Sequence, residues 1–198
     1  MTNRFEIDDH FQGCILVASP TWSNELYARS VCLLVHHGKE GSVGIFLNRS
    51  LSDSPAELWK HLAVDNLAGD NKSAGSARTL HFGGPMSGPV IALHNRPDLA
   101  EYTPVDGVYV AAQLENLQQL VQADSEAEVR IIVGQAAWQP GELDNELRQG
   151  KWLPLPISPQ LVFSNEDEMW VRAMRQIGNH FVASITGATG QPASVLLN

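Results

Sequence analysis

The stretch from Ser30 to Asn48, SVCLLVHHGKEGSVGIFLN, sets two apolar runs around a short glycine-bracketed turn and constrains the fold more than any other segment. Side chains alternate between faces along an extended strand. Val31, Leu33 and Val35 therefore leave one side, and Cys32 and Leu34 leave the other. Both sides are apolar, which predicts a central strand covered on both faces. Gly38 and Gly41 bracket Lys39-Glu40 at hairpin length, so Val43 to Leu47 should return antiparallel. A doubly covered sheet that contains a hairpin predicts an α+β fold with a mixed, largely covered β-sheet and flanking helices.

Other segments extend that pattern. Val129 to Val133 is apolar on both faces except at Arg130, and predicts a second buried strand. Gly13 to Ala18, Thr79 to Phe82, Val90 to His94 and Val108 to Ala112 read as strands. Thr21 to Ala28 fits either a short helix or a turn, and Asn95 to Pro104 reads as a proline-punctuated connection. Ser54-Pro55-Ala56-Glu57 has the N-cap, first-turn proline and capping-box acid of a helix start. Leu114, Leu117, Leu120 and Val121 mark a further helix, and Gly141 to Gln149 a short one. Trp152 to Pro159 is extended by its recurring prolines. Asn165 caps a helix whose face is Trp170, Ala173, Met174 and Ile177, with Gly178 expected to stop it. At 198 residues the chain is expected to be one globular unit over 1–198, with the polar, glycine-rich loop 65–77 as the place for an internal subdomain boundary.

Charge bears on partners. The net charge is −9 and the 13 Lys and Arg are scattered, whereas nucleic-acid binding depends on basic clusters that displace counterions. DNA, RNA and anionic membranes are disfavoured as partners. No apolar run reaches the roughly 18 residues that span a bilayer, and the start MTNRFEIDDHF lacks the basic-then-apolar order of a signal peptide. A cytoplasmic location is the expectation. Cys14 and Cys32 each fall inside a strand and read as small buried thiols.

The common catalytic spellings are missing: no nucleophile elbow, phosphate loop, dinucleotide fingerprint, H-E-x-x-H or C-x-x-C. His36 and His37 are adjacent at a strand end, so their rings should leave opposite faces and cannot easily share a metal. A site of His37, His81 and His94 would require three strand ends to converge; hydrogen-bonded rim residues are the better reading. Gly83-Gly84-Pro85 could offer backbone N–H groups to an anion, but a tight turn needing a special φ is favoured. Arg29-Ser30 places a cation and a hydroxyl at a strand entrance without an evident base. Trp138 and Trp152 flank the acidic helix of Glu142, Asp144 and Glu146, and are expected to be packing anchors.

Taken in order, LVASP (16–20), RSVCLLVHHGKEGSVGIFLNR (29–49), FGGP (82–85), IALH (91–94), GQAAWQPGELDNELRQGKWL (134–153) and EMWVRAMRQIG (168–178) resemble the YqgE/AlgH family of bacterial proteins. The resemblance implies a cytosolic protein with mixed sheets flanked by helices, often read as two interlocked subdomains. It implies no established enzyme activity and no cofactor. Some members are labelled transcriptional regulators, a label that the charge found here opposes. The family's recurring positions fall on residues that include Arg29, Ser30, His37, Asn48, Gly83, Gly84, Pro85, His94, Trp138, Glu146 and Trp152. The chain departs from the family at Ser50, where proline is usual, at Glu142, where Gln is usual, and between Pro85 and His94, which is one residue shorter.

The expected function is a non-enzymatic binding or regulatory module for a small molecule or protein partner. Its ligand-binding candidates are Arg29, Ser30, His37, Asn48, Gly83, Gly84 and His94, with no catalytic residue, metal or cofactor. A hydrolase or metal-dependent enzyme is the first alternative, and a DNA-binding transcriptional regulator the second.

Overall fold

The computed structural model describes residues 14–51, 80–123 and 127–186. The helix expected from Ser54 and the loop 65–77 lie outside the described residues. Among the described residues, nine strands form one sheet: β1 (Cys14–Ala18), β2 (Val31–Gly38), β3 (Gly41–Phe46), β4 (Leu80–Phe82), β5 (Met86–His94), β6 (Tyr102–Val105), β7 (Val108–Ala111), β8 (Val129–Trp138) and β9 (Trp152–Pro156). Their order is β6-β7-β5-β8-β3-β2-β1-β9, with β4 also beside β8. The β4–β8 pairing is parallel and the others are antiparallel, so the sheet is mixed. Four α-helices of the described residues flank it: α1 (Leu114–Val121), α2 (Glu142–Arg148), α3 (Pro159–Val162) and α4 (Glu166–Thr186). None of the helices among the described residues is long and apolar enough to cross a membrane.

The two faces of β2 go where the alternation places them. Val31, Leu33 and Val35 join a cluster with Ile15, Val17, Ile45, Ile91, Leu93 and Ile132, under Met169 and Ala173 of α4. Cys32 and Leu34 join Leu16, Phe46, Trp138 and Trp152 under Leu143 of α2. A third cluster lies under α1, where Leu117, Leu120 and Val121 meet Leu80, Ala92, Val129 and Ile131. The strand 129–133 is therefore also covered on both faces, by α1 on one and by the α3–α4 layer on the other.

Several boundaries differ from the sequence expectation. Gly178 does not stop its helix: α4 runs to Thr186. A glycine ends a helix where the backbone turns left-handed, and Gly178 is not among the positive-φ glycines. Staying helical costs it only about 1 kcal/mol relative to alanine. The connection 95–104 contains a short 3-10 turn (Pro97–Leu99) and most of the edge strand β6. The extended stretch from Trp152 becomes the opposite edge strand. Pro104 on β6, and Pro154 and Pro156 on β9, fit edge positions because proline has no N–H to donate to a ladder. Residues 21–28 form turns, and Asn165 caps α4 by accepting the Asp167 N–H at 2.9 Å.

β4 enters the sheet through a fork. β3 pairs with residues 136–138 of β8, and β4 takes the same edge at residues 131–133. Residues beyond β3 then pair with β4, through Phe82 N–H to Arg49 O and Leu51 N–H to Leu80 O. Gly83, Gly84 and Gly134 meet where the two pairings divide. A Cβ on Gly83 would lie 2.2 Å from the Gly134 carbonyl oxygen, and one on Gly84 2.2 Å from the Gln135 carbonyl carbon. Only glycine permits that approach.

Candidate functional site

The seven candidate residues occupy separate places. Arg29, Ser30 and Asn48 gather where β2 begins. Asn48 accepts the Val31 N–H with Oδ1 and donates Nδ2–H to the Arg29 carbonyl, both at 2.9 Å. The buried Ser30 hydroxyl accepts from Arg49, whose guanidinium also caps the Ala28 carbonyl. Arg29 takes a left-handed φ of 57° and lies 5.7 Å over the Trp170 ring. These polar groups are committed to holding the 24–30 turn against the hairpin. His37 sits at the far end of β2, about 23 Å away along an extended strand. Gly83 and Gly84 form the fork, and the Gly83 N–H is already donated to Val133 O at 2.7 Å.

His94 ends β5. Its Nδ1 accepts the Arg96 N–H at 3.2 Å, which leaves Nε2 carrying the proton of the neutral ring. That Nε2 is buried without a hydrogen-bond partner. Burial, aided by the Arg96 charge, holds the His94 pKa down to about 4; the Arg96 N–H, Asp98 and Glu101 oppose that shift.

His37 shows how a bulge creates a constellation that alternation alone would not. The register shifts between Leu34 and His36, which puts His36 opposite Val43 and His37 opposite Ser42. His37 Nδ1 then lies 2.7 Å from Ser42 Oγ, and its Nε2 lies 3.3 Å from Asp144 Oδ1 on α2. Serine, histidine and aspartate thus stand in line. Ser42 is only 4% exposed, however, and sits between His37 on β2 and Trp138 on β8. A nucleophile needs room for a carbonyl within about 3 Å of its oxygen, and a residue this buried offers little surface to a substrate.

The most chemically loaded place is one where the sequence marked two residues without joining them. His81 on β4 and Arg130 on β8 project from neighbouring strands toward the start of α4. Arg130 is buried; its Nε–H donates to Val162 O at 2.9 Å and its Nη2 to Ser164 O. Its Nη1 lies 3.2 Å from Glu166 Oε1 and 3.0 Å from His81 Nε2. His81 Nδ1–H donates to the Ile131 carbonyl at 3.2 Å, and its Nε2 stands 2.6 Å from Glu166 Oε1. Burial lowers the Arg130 pKa, with Glu166 opposing. Burial alone would raise Glu166, but His81, Arg130 and Ser50 outweigh it and hold the carboxyl below its usual range. Above this cluster opens a cavity of about 440 Å³, bordered by Ser50, Glu128, Phe163 and Asp167.

The lone Arg130 in an apolar strand was the available signal, because a buried guanidinium requires partners. Its partner Glu166 is 36 residues away and carried no mark. Cys14 and Cys32 are both free thiols. Among the described residues, no group of three or more His, Cys, Asp or Glu side chains is arranged to hold a metal ion.

Comparison with known proteins agrees with this architecture. A UPF0301 protein of Chlamydia caviae is 30% identical over 191 residues, covering 94% of this chain and 95% of its own. A UPF0301 protein of Methylococcus capsulatus is 32% identical over 170 residues, covering 84% and 91%. The solution structure of the AlgH protein from Pseudomonas aeruginosa shares the fold, with a TM-score of 0.65 at 21% identity over 96% of this chain and all of the other. A crystal structure from Corynebacterium diphtheriae gives 0.66 at 20% identity, covering 96% and 92%. The AlgH-like family model matches residues 15–182, nearly all of the sheet and most of its closing helix, and the chain belongs to that family.

Proposed function

We propose that this protein is a non-enzymatic binding module whose ligand seats in the cavity over His81, Arg130 and Glu166. One observation carries the proposal. An opening of about 440 Å³ has a floor of buried, mutually bonded ionisable groups, and its size falls in the range of small-molecule sites. The floor is rigid, because Arg130 ties two backbone carbonyls to the sheet. The rim offers hydroxyl, carboxylate and aromatic groups that can orient a polar molecule of metabolite size.

The hydrolase alternative has the aligned Ser42, His37 and Asp144 in its favour, but the buried hydroxyl argues against it. A fluorophosphonate probe should leave Ser42 unlabelled in the folded protein. The DNA-binding alternative has only scattered cations in its support, and duplex DNA should show no salt-dependent affinity. Thermal denaturation against a panel of amino acids, nucleotides and sugar phosphates tests the binding reading. A ligand should raise the midpoint of the wild type and leave Arg130→Met unmoved. A panel with no effect, or an equal rise in both proteins, contradicts the proposal.

A further inference from the structure

A second arrangement lies on the opposite face of the sheet, built from aromatic rings and one immobilised carboxylate. Glu146 of α2 is nearly buried, and its Oε2 accepts the indole N–H of both Trp138, at 2.8 Å, and Trp152, at 3.0 Å. Those two bonds fix the carboxylate and turn Oε1 outward. Trp22 and Tyr27 stack at 5.0 Å, and the Trp22 ring meets Trp152 edge-on at 5.0 Å. The Trp22 ring, held by its contacts to Tyr27 and Trp152, and the carboxylate thus form a corner with a negative aromatic face on one side and a negative oxygen on the other.

That corner already holds a cation. The Lys151 ammonium lies 5.6 Å over the Trp22 ring and 3.6 Å from Glu146 Oε1. Its backbone is held in place, with N–H donated to Glu146 O and C=O accepting from Ser19. The ammonium therefore arrives on a short side-chain tether and not as part of the core. A ring face attracts an ammonium through its quadrupole, and an opposed carboxylate adds to the attraction.

We propose that the Trp22 ring face and the Glu146 carboxylate, backed by Tyr27 and the buried Trp152, form a receptor for an organic ammonium group, and that Lys151 is its tethered occupant. Removing the occupant opens the site to an ammonium from elsewhere, whether a free compound or the lysine side chain of another chain. The site is independent of the cavity at Arg130.

The test uses the full-length protein with Lys151→Ala, which keeps both backbone hydrogen bonds. Tetramethylammonium and N-acetyl-lysine methylamide are each titrated while the ring resonances of Trp22 are followed by NMR. Lys151→Ala should bind at least one probe about tenfold or more tighter than the wild type, because it lacks the tethered competitor. Tetramethylammonium binding alone assigns a free quaternary ammonium, and binding of the lysine amide assigns a side chain. Adding Glu146→Gln, which keeps a carbonyl acceptor for the two indoles but removes the charge, should abolish that gain. A Lys151→Ala protein that binds neither probe, or binds no tighter than the wild type, overturns the proposal, as does a gain that survives Glu146→Gln.

Discussion

Replacing Trp138 by alanine should cost a large part of the protein's stability, and the structure gives the magnitude. Trp138 is 4% exposed and packs edge-on against Trp152 at 5.9 Å, and a Cβ on Gly44 would come within 3.2 Å of its ring. Truncating a buried tryptophan costs about 3–5 kcal/mol in lost transfer energy and cavity. The lost edge-to-face pair adds about 0.5–1.5 kcal/mol. Trp138→Phe isolates the indole bond to Glu146: it keeps most of the buried area and should cost about 1.5–3 kcal/mol, the range for a hydrogen bond to a charged group. A domain's whole stability is about 5–15 kcal/mol. With a urea slope of about 2 kcal/mol/M, Trp138→Ala should move the unfolding midpoint down by about 2 M. The assay is urea denaturation followed by far-ultraviolet circular dichroism. A Trp138→Ala protein with an unchanged midpoint would refute the packing account and place the ring in a binding role.

Three further outcomes are expected. His94 is neutral in the fold down to about pH 4 but ionises near pH 6.5 when unfolded. The unfolded state then binds the extra proton between these values, so His94 supports stability fully above pH 6.5 and loses about 3 kcal/mol as pH falls to 4. His94→Gln should flatten that part of the pH dependence in urea titrations, and a slope equal to the wild type would contradict the burial argument. Gly84→Ala should prevent folding or lower the midpoint severely, because its Cβ would meet the backbone of residues 135 and 136 at 2.2–2.4 Å with φ at +150°; a native-like melt would remove the fork explanation. Gly178→Ala should raise stability by up to about 1 kcal/mol, since nothing lies within 4 Å of the added methyl. A loss instead would mean that the helix does stop there.

What the sequence disclosed depended on the range of the interaction. Alternation along 31–35 and 129–133 was readable because every second side chain reports a face, and both strands are covered as that pattern requires. Asn165 was readable as a cap because its hydrogen bond spans two residues. Gly178 misled because a glycine permits a stop without imposing one. The pairing of Ser42 with His37 depends on a bulge at Val35, which shifts the phase by one residue and leaves no compositional trace. Gly83-Gly84 was legible as a place needing glycine, but not as a fork, since the crowding comes from Gly134 fifty residues later. Arg130 could be recognised as needing a partner, while His81 and Glu166 are brought to it only by the parallel β4–β8 register and the start of α4.

The binding role of the Arg130 cavity is tested most directly by amide NMR of the isotopically labelled protein, titrated with the same panel of amino acids, nucleotides and sugar phosphates. The account predicts saturable shifts confined to residues 81, 128–130 and 163–167, absent from Arg130→Met. Saturable shifts centred on Ser42, His37 and Asp144, or no shift with any compound, would contradict it.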